Sequence, residues 1–413
     1  MFGGKYWMEK IREKTENICL PKHILFIMDR LEKAGEEVYL VGGSLRDLLL
    51  GRIPSDYDLA TSALPERTME IFSDHRVIAT GLKHGTVTVM KEGEAVEITT
   101  FRIDGTYTDA RHPDGVTFTK RIEEDLSRRD FTVNAMAYHP CVGLVDPFCG
   151  KEDLERKILR AVREPELRFS EDALRILRVF RFSAQLGFDI EEKTLLGCTN
   201  SKFGLTKVAK ERISVELLRL ILSENPSFAL EKMMETGVIS FVLGETIPSK
   251  KILKDLGRMP KTDTARLGFL LSEFEKDTVR DTLKTLKYSN KQITGACAVV
   301  TGAKHKICTP SEVRKLKVSC GIYAEEACFA SVFLQNSPQE ALVWIKKDQA
   351  ITKMADLKIS GRDLMALGIY GRDIGEILQR LFDLVLEDPS LNQTEILLEL
   401  SKKLVKTNQK ETK

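Results

Sequence analysis

Apolar positions change their rhythm near residue 150. Before it, short apolar runs alternate with glycine-marked turns. After it, apolar residues recur at helical spacing. Pro21–Ala34 predicts a helix with Ile24, Ile27 and Leu31 on one stripe. Val38, Tyr39, Leu40 and Val41 read as a strand that stops at Gly42-Gly43, and the helix-forming run Ser44–Leu50, closed by Gly51, follows at once. Pro65–Phe72 predicts a short helix opened by proline. Arg76–Thr80, Thr86–Met90 and Ala95–Phe101 predict strands punctuated by Gly81, Gly85 and Gly93. Arg102–Arg128 is long, polar and poorly periodic, the mark of a functional loop, with a short strand at Val116–Phe118. From Lys151 the strand signals nearly vanish. Pro165–Gly187, Glu191–Leu196, Val208–Ser223, Ser227–Thr236, Thr264–Phe274, Lys276–Leu286, Glu325–Leu334, Gln339–Trp344, Gly361–Leu367, Arg372–Leu386 and Gln393–Val405 all read as helices. The pattern predicts a small α/β head followed by a long helical body.

A chain of 413 residues exceeds one ordinary core, so two to four domains are expected. With 42% hydrophobic and 30% charged residues the composition is that of a soluble, folded protein. The net charge of +2 gives no global basic field, so any RNA surface must be a local patch. One basic stretch is the end of the chain, with Lys402, Lys403, Lys406, Lys410 and Lys413 against Glu411. It can meet a phosphate backbone or be a solvated terminus. The eight cysteines form no CxxC pair, which points to reduced thiols and a cytoplasmic protein; Cys297 and Cys328 read as small core residues. No leader-like apolar segment and no membrane-length run is visible.

The chemistry concentrates in Val38–Thr61. A strand, a glycine turn and a helix start present free N–H groups to an anion such as a phosphate, with Ser44 as the expected N-cap. Asp56 and Asp58 follow; on a strand, residues two apart share a face. Two such carboxylates repel unless a cation lies between them, and hard oxygen ligands beside a phosphate site suit Mg²⁺. Solvated turn residues are the plain alternative, but a DxD so soon after a double glycine is uncommon. Glu97, in a strand expected to pair with the one carrying Asp56 and Asp58, is a candidate third carboxylate or an edge residue facing water. Arg128-Arg129-Asp130, with Asn134, opens a helix or turn that can bind phosphate and sugar, or is a solvated charge pair.

Ser170–Phe188 reads as one helix capped by Ser170, with Asp172 and Arg175 on one face. Aspartate only accepts hydrogen bonds and arginine only donates them. Cytosine and adenine each show an amino donor beside a ring-nitrogen acceptor, whereas uracil and guanine show the reverse. An Asp–Arg pair therefore fits C and A and rejects U and G. Arg178 lies beside Arg175 on the wheel. Arg181 is rotated roughly half a turn from Asp172, a better position for phosphate or RNA than for the same base. An ordinary surface ion pair is the alternative for Asp172 and Arg175.

Together these motifs resemble those of the class II tRNA nucleotidyltransferases, the CCA-adding enzymes and their bacterial poly(A) polymerase relatives. VGGSLRD with SDYDLAT is similar to the family's glycine-turn and metal motif, and SRRDFTVNAMA to its sugar-recognition motif. EDALRILRVFRFSAQLGF resembles its nucleotide-selecting helix, AKERISVELLRLIL the motif that buttresses that helix, and KISGRDLMALGIYGRDIGEILQRL the tail of Gram-positive CCA-adding enzymes. The resemblance implies an α+β head, a nucleotidyltransferase palm with a mixed or antiparallel sheet, over residues 1–150. An all-α neck (151–205), body (206–320) and tRNA-binding tail (321–413) would follow. It implies that Asp56 and Asp58 hold Mg²⁺ with Glu97 as a third catalytic carboxylate. Gly43 and Arg46, with Gly42 and Ser44 beside them, would contact the triphosphate. Arg129, Asp130 and Asn134 would handle the ribose, Asp172 and Arg175 would pair with the base, and Arg178 and Arg181 would support nucleotide binding. The implied activity adds C, C and A to the tRNA 3′ end from CTP and ATP, by a monomer or homodimer with no membrane partner. The loop with Tyr107, Asp109, Arg111 and Pro113 looks full, which argues against a CC-only enzyme and leaves A-only addition and poly(A) synthesis as alternatives. The histidines are scattered, with no role assigned. A catalytically silent RNA-binding protein is opposed by intact Asp56, Asp58 and Arg175.

Overall fold

The computed structural model describes residues 18–105 and 116–411 and divides the chain into two compact units, Met1–Val242 and Leu243–Lys413. The expected cuts at 150 and 205 fall inside the first unit, and that at 320 inside the second. Tyr107, Asp109, Arg111, Pro113 and Lys413 lie outside the described residues.

In the first unit, helix α1 (Lys22–Lys33) buries Ile24, Ile27, Met28 and Leu31 and leads into strand β1 (Val38–Val41), which is buried along its whole length. Helix α2 (Gly42–Leu49), strand β2 (Asp58–Thr61) and helix α3 (Pro65–Ile71) follow. Strands β3 (Arg76–Gly81), β4 (Thr86–Lys91) and β5 (Glu94–Thr100) complete the predicted meander. Strands β6 (Arg102–Asp104) and β7 (Val116–Phe118) pair separately, and helix α4 (Ile122–Ser127) leads on to β8 (Ala137–His139) and β9 (Gly143–Val145). The main sheet is seven-stranded and mixed, in the order β3-β4-β5-β2-β1-β8-β9, with β2 and β5 parallel and the other neighbours antiparallel. The pattern of β8 and β9 was not visible in the sequence because each spans only three residues.

Helix α5 (Gly150–Arg156) and strand β10 (Ile158–Leu159) lead to helices α6 (Pro165–Glu171) and α7 (Leu174–Leu186). The expected single helix across Ser170 is broken at Asp172, whose backbone is extended (φ −139°, ψ 101°). Strand β11 (Asp189–Ile190) pairs with β10, and helices α8 (Glu192–Ser201), α9 (Lys210–Ile221) and α10 (Pro226–Glu235) follow, with α9 and α10 packed on α7.

The second unit is helical: α11 (Lys250–Asp255), α12 (Asp263–Leu270), α13 (Lys276–Thr285), α14 (Asn290–Ala303), α15 (Pro310–Cys320), α16 (Ala324–Phe333), α17 (Glu340–Lys347), α18 (Gly361–Ala366), α19 (Arg372–Glu387) and α20 (Thr394–Glu411). α14 packs between α12 and α16 through small residues. A Cβ on Gly268 would lie 2.5 Å from Val299 Cβ, and one on Gly302 2.5 Å from Ala327 Cβ, so the helix backbones approach closely only because those side chains are missing. One apolar cluster gathers Ile307, Leu316, Cys328 and Ile345, and another Leu357, Leu364, Leu381 and Val385. Cys297 and Cys328 are buried, as expected. Among the described residues no helix is long and apolar enough to cross a membrane.

Candidate nucleotide site

Gly42 ends β1 in the left-handed region (φ 71°) and starts α2. A Cβ there would lie 3.1 Å from an Arg129 terminal nitrogen and 3.8 Å from Asp58 Oδ2, so the bare glycine lets that cation and that carboxylate share one place. Ser44 is not the expected N-cap. It sits in the first helical turn, donates to the Val41 carbonyl (2.9 Å) and accepts from Asp58 N–H (3.4 Å). The helix begins two residues earlier than expected because glycine tolerates the entry, and Ser44 is freed to tie α2 to β2.

Asp58 opens β2 opposite Glu97 of β5, so the parallel register puts the two carboxylate-bearing residues side by side. Asp56 is not on the strand; it is exposed in the bend before it, where its Oδ1 accepts from Ser55 Oγ (3.0 Å). Burial first, then the charges of Asp56 and Glu97, push the Asp58 carboxyl up to about 6 against the opposing pull of Arg129. Among the described residues no three His, Cys, Asp or Glu side chains already form a metal-holding group. The donor chemistry nevertheless fits a hard divalent cation: Asp58 lacks a neutralising charge strong enough to restore its ordinary acidity, and both repelling neighbours are carboxylates.

β8 lies beside β1, with Val41 opposite Ala137, and this register carries the preceding turn to α2. Arg46 donates to Asn134 Oδ1 (2.8 Å), Asn134 Nδ2 to Asp130 Oδ1 (3.1 Å), and Arg178 Nε to Asp130 Oδ2 (2.8 Å). Burial alone would raise the Asp130 carboxyl; Arg178, Asn134 and Arg175 outweigh it and hold it at about 2. Asp125 of α4, 1% exposed, pairs with both Arg128 (2.8 Å) and Arg129 (3.0 Å). Its carboxyl is held below the ordinary range, those two cations overcoming the larger opposing effect of burial. Arg129 Nε is buried and has no partner among the described residues.

The break at Asp172 separates the expected Asp–Arg couple. The Asp172 carboxylate accepts from Leu174 N–H (3.1 Å) and pairs with Arg212 of α9 (2.8 Å). Arg175 pairs with Glu171 and donates to the carbonyls of Arg168 (3.1 Å) and Arg128 (3.0 Å). Neither forms a surface ion pair with the other. One cavity of about 670 Å³ nevertheless brings together Gly42, Gly43, Arg46, Asp58, Arg129, Asp130, Asn134, Asp172, Arg175 and Arg178. Ser44, Asp56, Glu97 and Arg181 are not in its wall. Arg181 instead forms a buried pair with Glu216 and donates to Gln185 (2.7 Å). Arg128, paired with Arg129 in the sequence reading, also lines the cavity, and Phe182, Arg212 and His84 line it without having been picked from the sequence. Arg212 had a signal in hindsight: it stands one turn before Glu216 on the buttressing helix, so α9 holds both Asp172 and Arg181.

Residues 38–160 match the model of the poly A polymerase head domain, and residues 187–249 the one described as "Probable RNA and SrmB- binding site of polymerase A". Residues 260–401 match tRNA nucleotidyltransferase domain 2. Over 386 residues the chain is 36% identical to the CCA-adding enzyme of Leuconostoc mesenteroides, covering 92% of this chain and 95% of that one. The chain belongs to the CCA-adding enzyme family. The CCA-adding enzyme of Enterococcus faecalis is 35% identical over 387 residues, 91% of this chain and 94% of that one. The crystal structure of the Bacillus stearothermophilus CCA-adding enzyme in complex with CTP superposes with a TM-score of 0.78 at 31% identity, over 94% of this chain and 98% of that one. The Thermotoga maritima CCA-adding enzyme, at 22% identity and a TM-score of 0.70, shares the fold over 93% of this chain and 96% of its own. Family membership makes this chain a nucleotidyltransferase that adds C, C and A to the 3′ end of tRNA. CCA-adding enzymes and their nucleotidyltransferase relatives generally use a divalent metal.

Proposed function

We propose that the cavity of the first unit takes CTP and ATP in turn, and that Mg²⁺ is the divalent ion, held by Asp56 and Asp58 with Glu97 beside them. The observation that carries this reading is that Asp172 and Arg175, a pure acceptor and a pure donor, open into the same cavity as Gly42, Gly43, Arg46 and Asp58. Each is fixed by partners of its own, so the two stay oriented for the amino and ring-nitrogen edge that C and A share. U and G would leave buried polar groups unpaired there.

The remaining residues divide along the nucleotide. Gly42, Gly43 and the first N–H groups of α2 approach the triphosphate, with Arg46 and Arg129 supplying charge. The partnerless Arg129 Nε is suited to receive an acceptor oxygen. Asp130, Asn134 and Arg178 hold the ribose, and Arg181 acts from behind the wall. The RNA 3′-oxygen attacks the α-phosphorus, the bond to the β-phosphate oxygen breaks, pyrophosphate leaves and the hydroxyl proton passes to solvent. When bound, Mg²⁺ lowers the pKa of that hydroxyl and neutralises the leaving pyrophosphate.

The tRNA acceptor arm is the RNA partner; the RNA-binding model over residues 187–249 supports this, as does the likeness of the second unit to a tRNA nucleotidyltransferase domain. Recognition there is by shape and backbone. Eight unpaired cysteines support a cytoplasmic location.

The test is incorporation into tRNA lacking its 3′ end. CTP alone should give two additions, ATP alone none, and both nucleotides two C and one A followed by arrest. EDTA should stop incorporation and Mg²⁺ restore it. No C addition to tRNA lacking its 3′ end, with A added only to tRNA already ending in CC, or a long A tail, would contradict the full CCA reading.

A further inference from the structure

Three guanidinium groups surround the Phe182 ring in the cavity wall: Arg181 at 3.8 Å from its centroid, and Arg46 and Arg178 each at 5.3 Å. Each cation has its own carboxylate: Asp47 for Arg46 (2.7 Å), Asp130 for Arg178 (2.6 Å) and the buried Glu216 for Arg181. Phe131 supports the ring edge-on, with centroids 5.6 Å apart. A guanidinium stacked on a ring keeps its N–H edge free for hydrogen bonds, and an aromatic face attracts a cation where an aliphatic chain does not.

Phe182 thus joins elements far apart in sequence. Arg46 comes from α2 at the glycine turn, while Arg178 and Arg181 come from its own helix, α7. Asp130 and Asn134 complete the circuit from Arg178 back to Arg46. We propose that Phe182 is a positioning residue for the reaction: its ring sets Arg46 and Arg178 at the spacing that the triphosphate and ribose of one nucleotide require. The proposal rests on the reading of Arg46 and Arg178 given above. It predicts a specific pattern, because CTP and ATP share triphosphate and ribose and differ only in the base. Losing the ring weakens both nucleotides equally and leaves base choice alone.

The experiment is steady-state kinetics of Phe182→Leu and Phe182→Tyr on full-length enzyme with tRNA lacking CCA or ending in CC. Phe182→Leu is expected to raise KM for CTP and for ATP by the same factor, about tenfold, with a smaller change in kcat. Phe182→Tyr, which keeps the π face, should recover most of that loss, and UTP and GTP should remain excluded in both. Should Phe182→Leu melt below the assay temperature, Phe182→Met, also without a π face, is held to the same criteria. Unchanged KM, a fall in kcat alone, unequal effects on CTP and ATP, or new incorporation of UTP or GTP would each overturn the proposal. Arg46→Ala runs in parallel: if its KM for CTP also stays unchanged, the reading of the site fails; if it rises while Phe182→Leu does not, only the role of Phe182 fails.

Discussion

The two units treat buried charge in opposite ways. In the first, Arg46, Asp125, Asp130, Asp153, Arg168, Arg175, Arg181 and Glu216 are all buried, and several of them are held in acid–base pairs around a cavity. In the second, the buried charged side chains among the described residues are Arg266 and Arg314. Both turn to backbone carbonyls. Arg266 donates to Gly257 and Met259, and Arg314 to Leu386 and Glu387, with Asp348 as its ion-pair partner at 2.8 Å. Desolvating a charge costs free energy in either place. In the second unit the cost is met by satisfying backbone carbonyls at the end of a helix and in a turn. In the first it leaves oriented donors and acceptors facing a space where a ligand fits. The same residue type, arginine, is a fastening in one unit and part of a site in the other, and what separates the two is whether the side chain lines a cavity, as Arg46, Arg175 and Arg178 do, or is spent on backbone carbonyls, as Arg266 and Arg314 are.

The sharpest way to break that contrast is at Asp58. Asp58→Asn should lower incorporation on the order of a thousandfold, since it would remove a carboxylate proposed to hold the divalent ion. The same change should raise the melting temperature of metal-free protein at pH 8. The sign follows from the raised carboxyl: with a folded-state value of about 6, above the ordinary one, the folded state binds a proton more readily than the unfolded state. Folding therefore loses stability as pH rises from near 4 through about 6. The stabilising effect of Asp58→Asn should shrink as pH falls through about 6 and vanish only below pH 4, and melting curves across pH check it. A variant less stable than the parent at pH 8 would remove the argument for a functional carboxylate held against its preference.

Next in size is Arg212→Ala. It leaves Asp172 without its ion-pair partner, and kcat/KM for both CTP and ATP should fall roughly 10- to 100-fold, with some incorporation of UTP or GTP appearing. Arg314→Met sharpens the other side. It should lower unfolding free energy by about 2 kcal/mol, because the Leu386 and Glu387 carbonyls lose their donor, while CTP affinity measured without tRNA stays at the parent value. The smallest effect is expected from Ser289→Ala, which removes the cap of α14 and should cost about 1 kcal/mol in denaturant unfolding.

That last helix shows where sequence reading stops. α14 was missed because its buried face is built largely of small residues such as Gly295, Ala296, Gly302 and Ala303, so it shows only a weak apolar stripe. Its start was nevertheless written in the chain, as was that of α15: Ser289 with Gln292, and Thr309 with Glu312, both form capping boxes. The meander β3–β5 and the β1–α2 turn were legible because their signals are local. Asp58 and Glu97 could be placed together only as far as strand pairing could be guessed. The pairing of Asp172 with Arg212 was not legible, since it depends on a helix break that a good helical pattern conceals and on a partner 40 residues away.

The central claim is that one charged cavity in the first unit serves both nucleotides, and equilibrium competition tests it most directly. Labelled CTP is bound to the full chain with Mg²⁺ and without tRNA, and unlabelled ATP is added. The account predicts complete displacement following simple competition, with the affinity of both nucleotides lost in Arg46→Ala. Persistence of bound CTP at saturating ATP, each nucleotide occupying its own place at once, would contradict it.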